Sequence, residues 1–179
     1  MGKIVASVYV TLDGVMEDPT WTQPYLTDAA QAHARELLFA SDALLLGRRT
    51  YQGFASTWPG QTDEQGFAHR MNSMPKYVVS STLTDTSWNA ELVSGDITAA
   101  VSLLKESSDR TFLMYGSGEL VNTLFRADLI DEYQLWTAPV VHGTGKRLFE
   151  EGHAPGVLKS LGAKPLGGAV ILSYGRAAA

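Results

Sequence analysis

The sequence predicts an α/β fold, a largely parallel central sheet with an antiparallel hairpin at its C-terminal edge. Three observations predict it. Apolar, β-rich runs alternate with helix-spaced segments from residue 3 to residue 126, the pattern of parallel strands joined by crossover helices. Residues 156–163 and 168–174 then read as an antiparallel pair around a Gly167-Gly168 turn. No low-complexity linker, internal repeat or long charge run interrupts the 179 residues, so a single domain over 1–179 is expected.

The elements follow in order. Residues 3–12 (KIVASVYVTL) make a buried strand, and 13–27, with Gly14, Pro19 and Pro24, make a loop. Thr27 or Asp28 caps a helix over 28–40, with Ala32, Leu37, Leu38 and Ala40 as core positions. A second strand at 43–46 ends at Gly47, and 48–54 is a short helix. Residues 57–74 are irregular, with a helix near 63–72. Residues 76–80 form a third strand and 92–93 a short fourth. Asp96 is an N-cap for a helix over 97–107. The apolar run 111–115 is a fifth strand, 118–126 a helix and 132–141 a sixth strand. On that last strand Tyr133, Leu135 and Trp136 suggest one core face and one face for a second subunit.

Composition excludes several functions. A net charge of −5 argues against nucleic acid as a general partner, because a duplex binder needs a basic face. With no cysteine there is no disulfide, no thiol catalysis and no cysteine-ligated metal. His69, His142 and His153 show no paired ligand spacing, so no metal is expected. No run approaches the ~18 apolar residues of a membrane span. The N-terminal residues enter a strand pattern at once, without the features of a leader. A cytoplasmic protein without a membrane partner is the expectation.

In parallel sheets ligands gather at the carboxyl ends of strands, and three such ends carry anion-compatible residues. The second strand ends in Gly47-Arg48-Arg49-Thr50, the third in Ser80-Ser81-Thr82 and the fifth in Gly116-Ser117-Gly118. Guanidinium forks hold phosphate bidentately. A small-residue turn into a helix exposes amides at the positive end of the helix dipole. Separately, Arg48-Arg49 reads equally well as a solvated pair and Ser80-Ser81 as an ordinary turn. Together the three suit a dinucleotide with a pyrophosphate and a 2′-phosphate. Neither a phosphate loop ending in Gly-Lys-Ser/Thr nor a full Gly-x-Gly-x-x-Gly is present, so a standard Rossmann domain is not expected.

Six segments carry a resemblance: SVYVTLDGV (7–15), SDALLLGRRTY (41–51), KYVVSSTL (76–83), MYGSGELVNTL (114–124), LIDEYQL (129–135) and PVVHGTGKRLF (139–149). With them the chain resembles the dihydrofolate reductase-like fold, specifically the reductase domain of bacterial bifunctional riboflavin-biosynthesis deaminase-reductases and their small stand-alone relatives. The resemblance implies a three-layer α/β/α reductase that binds NADPH and forms a homodimer. It implies that Gly47, Arg48, Arg49 and Thr50 grip the adenosine side and that Ser80 and Ser81 meet the 2′-phosphate. Gly116, Ser117 and Gly118 would hold the pyrophosphate, with Tyr115 before them and Glu119 and Leu120 after. Val8 and Tyr9 would border the nicotinamide, with Met16 as their loop-side neighbour. Two departures matter. The helix position where dihydrofolate reductases keep a proton-delivering acid falls near Gln31, and with no cysteine the zinc deaminase chemistry is absent. The second residue of the glycine pair that is cis-linked in dihydrofolate reductases is Ser117 here.

Asp13, in LDGV at the end of the first strand, is the leading catalytic candidate, although Asp13-Gly14 also reads as a plain turn. Tyr9, His33 and Tyr51 are further proton donors to consider, with His33 expected to face solvent. Trp21, Tyr51, Phe54 and Trp58, with Tyr25, suggest an aromatic wall for a planar substrate, or else packing of a small helix on the sheet. Three functions stay open: an NADPH-dependent reductase of a small heterocycle or carbonyl compound; a pyrimidine reductase of riboflavin biosynthesis, whose ribityl phosphate would need Lys146, Arg147 or Arg70; and a dimeric NADPH-binding sensor without turnover.

Overall fold

The computed structural model of the chain describes residues 1–150, 152 and 155–177. Eight strands form one sheet: β1 Lys3–Thr11, β2 Ala43–Gly47, β3 Lys76–Val79, β4 Ala90–Val93, β5 Thr111–Tyr115, β6 Glu132–Ala138, β7 Leu158–Leu166 and β8 Ala169–Arg176. Their order is β4-β3-β2-β5-β1-β6-β8-β7. Every pair from β4 to β6 is parallel, and β6-β8 and β8-β7 are antiparallel. The hairpin turns at Gly167 and Gly168, both at positive φ, the conformation that favours glycine. The α/β class and the antiparallel edge are as the sequence predicts.

Helices α1 Asp28–Phe39, α2 Arg48–Thr57, α3 Phe67–Ser73, α4 Ile97–Glu106 and α5 Gly118–Arg126 flank the sheet. Alternation along the strands sorts them. Ile4, Ala6 and Val8 of β1, with Ala43, Leu45 and Met114, pack against Val101 of α4 and Leu120, Val121 and Leu124 of α5. Val5, Leu44, Leu46 and Leu113 face the other way, against Leu38 of α1, Tyr51 of α2 and Met71 of α3. Side chains of successive strand residues point to opposite faces, so a buried central strand must be apolar at every position. β2, reading ALLLG, is.

Caps set the helix starts. The Thr27 and Asp96 hydroxyl and carboxylate accept from Ala30 N and Ala99 N, opening α1 and α4. Three sequence readings are corrected. Ala32 and Ala40 are exposed, and α1 instead buries Ala30 and Leu38. The helix expected near 63–72 begins at Phe67, because Asp63 caps it by accepting from Phe67 N and Ala68 N. β6 lies between β1 and β8, with Tyr133 and Trp136 buried on opposite sides and Leu135 and Thr137 half-buried. His33 does not face solvent; its imidazole is wedged among Gln134, Lys164 and Trp136.

Two buried lysines anchor the sheet. Lys105 Nζ pairs with Asp131 at 2.6 Å and donates to Leu129 O. Asp131 also accepts from Ile4 N and Arg176, so one carboxylate ties α4, β1 and β8 together. Lys76 has no such partner. Its Nζ donates to Asn72 O and Met74 O and lies 4.1 Å from the Trp88 ring centroid. Burial pushes its ammonium down to about 8.

That shift has a sign. The unfolded lysine titrates near 10.4, so between about pH 8 and 10.4 the unfolded chain holds a proton that the folded protein has lost. Stability therefore rises with pH across this window. Urea unfolding at pH 7 and pH 10 should show Lys76 adding about 2–3 kcal/mol at the higher pH. Lys76→Met should lack that increment. A variant with the same pH slope as wild type would show that the amine stays charged inside.

Candidate functional site

Two helices start side by side without side-chain caps. The N-cap of α2 is Gly47 and that of α5 is Ser117, and neither caps its own helix. The Ser117 hydroxyl is turned to the other helix start: it accepts from Gly47 N at 2.9 Å and donates to Thr50 Oγ1 at 2.9 Å. Gly116 and Ser117 both have left-handed backbone, with φ of 51° and 55°. Successive left-handed or turn residues point amides into one concavity. The first-turn amides of α5 thus open onto a cleft at the positive pole of the helix.

The cleft has a volume of about 450 Å³ and lies across the carboxyl ends of β2, β3 and β5. Of the residues expected to hold a dinucleotide, Met16, Gly47, Arg48, Arg49, Thr50, Ser80, Ser81, Ser117, Gly118, Glu119 and Leu120 line it. Glycine is required by close approach: a Cβ on Gly118 would collide with Met16 Sδ, and one on Gly47 would sit 3.2 Å from Ser117 Oγ. Val8, Tyr9, Tyr115 and Gly116 are not among the lining residues. The Val8 side chain is in the core beneath α5, and Gly116 N donates to Ser7 O. The Gly116-Ser117 bond is trans.

The side-chain duties differ from residue to residue. The Ser80 hydroxyl accepts from Thr82 N and Leu83 N and so shapes the loop that presents Ser81 and Thr82. Arg48 reaches Gln52 Oε1 at 3.3 Å, and both Arg48 and Arg49 are exposed. Lys146, on the loop after β6, crosses to Glu119 at 2.7 Å. That ion pair, with Arg49 and Arg48 behind it, holds the Glu119 carboxyl below its ordinary range. Thr82, from the third strand end, lines the cleft as well, and Glu17, Thr123 and Lys146 line it although the sequence did not single them out for it. The sequence signal for Lys146 was its place in HGTGK, directly after Gly143 and Gly145, both of which the structure has at positive φ.

Asp13 does not line the cleft. Its carboxylate accepts from Thr11 Oγ1, His142 N and Gly143 N, and these bonds hold it well below the usual carboxylate range. It is the clasp that fastens the 139–149 segment to the end of β1. Trp21, Tyr51, Phe54 and Trp58 do not line the cleft either. Trp21 donates its indole N–H to Glu17 O. Tyr51 is buried on α2, its hydroxyl bonded to Ser87 N and O. Phe54 meets Trp58 and Tyr115 edge to face, and Trp58 packs at a tilt against Phe67. Of the basic candidates for a ribityl phosphate, Arg70 donates to Ser41 O beneath α1, and Lys146 lies in the cleft itself. Among the described residues no cluster of His, Asp and Glu is arranged to hold a metal; His153 lies outside them.

Comparison with known proteins agrees with this architecture. The family model of the RibD C-terminal domain matches residues 2–172. The Bacillus subtilis protein YyaP is 28% identical over 150 residues, 82% of this chain and 80% of its own. A Shewanella sp. PV-4 structure, named as a candidate riboflavin biosynthesis protein, superposes with a TM-score of 0.77 at 21% identity, covering 98% of this chain and 99% of that one. The Thermotoga maritima diaminohydroxyphosphoribosylaminopyrimidine deaminase/5-amino-6-(5-phosphoribosylamino)uracil reductase superposes at 0.69 with 15% identity, covering 98% of this chain and 57% of that one. The match to that larger chain is therefore to about half of it.

The Ser117 bridge is testable. Ser117→Ala removes the acceptor of Gly47 N and the donor to Thr50, so unfolding free energy should fall by about 1–3 kcal/mol. The urea midpoint should drop with the m-value unchanged. An unchanged midpoint would mean that water replaces the hydroxyl at no cost.

Proposed function

This chain belongs to the family of the RibD C-terminal domain, and from that premise we propose that it is an NADPH-dependent reductase of a small heterocyclic or carbonyl compound. The observation that carries the reading is the cleft itself: two uncapped helix starts, two guanidiniums and a hydroxyl-bearing loop on one concave surface. The donor set fits the cofactor. The α5 amides, with Gly118 and Gly47 leaving room for close approach, would hold a pyrophosphate. Arg48, Arg49 and Ser81 would clamp a 2′-phosphate. Lys146 would exchange the Glu119 carboxylate for phosphate oxygen. When bound, such a cofactor supplies a hydride, and the protein's share is binding, orientation and exclusion of water.

The narrower reading, a pyrimidine reductase of riboflavin biosynthesis, would need a second phosphate site. Arg70 donates to Ser41 O and Lys146 is assigned to the cofactor cleft, which leaves exposed Arg147 as the remaining candidate for it; the broader reading is preferred. A homodimer, expected from the resemblance, could use the half-buried face of β6 that carries Leu135 and Thr137. The outer strand β7, exposed along most of its length, is the natural alternative.

The clamp predicts cofactor preference. NADPH should bind about 10- to 150-fold more tightly than NADH, the worth of one charge-assisted contact. Changing Arg48 and Arg49 together to Ala should erase the difference in a fluorescence titration. Equal affinities in wild type would refute the clamp. NADPH that binds but is never oxidised with any pterin, flavin precursor or quinone would favour the sensor instead.

Dihydrofolate should be a poor substrate. Protonating a pterin needs an acid within hydrogen-bond reach of the ring. The Gln31 amide bonds Leu26 O, and Asp28 and Glu36 are exposed. Turnover should lie at least ~10²-fold below that of a dedicated enzyme. Steady-state assay at saturating NADPH measures it, and a rate of roughly 1–10³ per second would contradict the prediction.

A further inference from the structure

The chain has five methionines, and burial divides them sharply. Met71, Met74 and Met114 are closed inside the core at 1%, 1% and 0% exposure. Met1 is 76% exposed, ahead of β1 and so at the edge of the sheet opposite the cleft. Met16 is half-buried and is the methionine that lines the cleft. An oxidant in solution therefore reaches Met1 and Met16 before the other three.

The backbone sets where the Met16 sulfur lies. Met16 N donates to Lys146 O at 2.9 Å, and Val15 bridges Arg147, so the residue is fastened to the segment that Asp13 clasps. From there its side chain reaches the first residue of α5. A Cβ on Gly118 would collide with Met16 Sδ and stand 3.2 Å from Met16 Cε, so the thioether rests on the bare Cα of Gly118. The amides around that Cα are the ones α5 leaves open. The bond from Val121 N to Ser117 O begins the helix, and no side chain of the N-cap satisfies the amides before it. A thioether is a weak acceptor; it packs beside these donors without satisfying them.

Oxidation changes that. A hydroperoxide transfers one oxygen to the thioether: the sulfur lone pair forms the S–O bond as the O–O bond breaks. Sulfur gives up two electrons, the peroxide is reduced, and its remaining oxygen leaves as alcohol or water with the proton of the transferred hydroxyl. The polar sulfoxide then sets an acceptor oxygen against donors that lack one. We propose that Met16 is a reversible oxidation site that gates the cleft, its sulfoxide capping α5 and taking the amides that an anion would use. Methionine sulfoxide reductases return the residue to its thioether, so the block is reversible. That the excluded anion is the pyrophosphate of NADPH rests on the reductase reading; the gate on the anion site does not.

Hydrogen peroxide is the probe oxidant. After treatment at rising doses and removal of the peroxide, the oxygen gained by each methionine is read by peptide mass spectrometry. Met16 and Met1 should oxidise at doses that leave Met71, Met74 and Met114 intact. Treated and untreated protein are then titrated calorimetrically with inorganic pyrophosphate and with NADPH. Oxidation should weaken both by at least about tenfold, the loss of one charge-assisted contact. The two methionine sulfoxide reductases, one for each epimer, should restore them. Met16→Leu, in which Met1 still oxidises, should show no change in either affinity on peroxide treatment. Oxidation of Met16 no faster than that of the core methionines, or an unchanged pyrophosphate affinity in oxidised wild type, would overturn the proposal. A Met16→Leu protein that loses affinity on treatment as wild type does would overturn it too, because the damage would lie elsewhere. So would untreated protein that binds no pyrophosphate. If untreated protein binds pyrophosphate but not NADPH, and peroxide abolishes that binding, the cofactor reading falls and the gate stands.

Discussion

Two helices begin at one point, and neither is capped from its own side chains. That constraint organises the site. Capping an N-terminus satisfies amides that would otherwise seek another acceptor. At α1, α3 and α4, Thr27, Asp63 and Asp96 do so, and those helix starts have no need of a ligand. At α2 and α5 the N-cap residues are Gly47, which has no side chain, and Ser117, whose hydroxyl serves its neighbour. The same bridge that denies α5 its cap holds the two starts together. Positional accuracy and unsatisfied amides thus come from one hydroxyl.

The sheet brings these starts together. β2 and β5 are adjacent parallel strands, so the helices that follow them leave from the same edge. β3, on the far side of β2, ends level with them and presents the Ser80 loop. Parallel pairing is what makes three distant sequence segments share an edge; an antiparallel arrangement would send alternate ends to opposite sides. The antiparallel β8-β7 hairpin lies beyond β6, away from the cleft, and is tied to the start of α1, where the Thr27 hydroxyl donates to Leu166 O.

Strand positions were legible because burial on both faces leaves a continuous apolar run, as in ALLLG and TFLMY. The cleft was legible for a related reason: glycine, serine and arginine at strand ends have few structural duties, so their chemistry shows. Asp13 and the aromatics were not legible. Asp13 is engaged by Thr11, His142 and Gly143, two of them about 130 residues away, and local sequence carries no trace of that pairing. Tyr51, Phe54 and Trp58 lie on α2, and which way a short helix turns its rings depends on the strands beneath it. Tyr51 is held by Ser87, and Phe54 and Trp58 by one another. Lys146 was visible as a basic residue, but its partner Glu119 sits 27 positions earlier, so its place in the cleft needed the fold.

Charge bears on the proposal that this site takes a small anion and not a polyanion. The chain as a whole carries −5, and a phosphate-rich polymer laid across it would meet repulsion over most of its length. Within the cleft the sign reverses: Arg48, Arg49 and Lys146 outnumber Glu17 and Glu119, and the α5 dipole adds to them. Such a reversal reaches only about a Debye length, ~8 Å at physiological ionic strength. A ligand must bring its phosphates inside that distance to profit from it. A dinucleotide can place two or three phosphate groups there and leave its rings outside, whereas a duplex cannot bend into a notch between two helix starts. On the proposed reading the acidic exterior and the cationic notch would act together as a size filter, and the Glu119–Lys146 pair would sharpen it by yielding only to an anion that competes with a carboxylate.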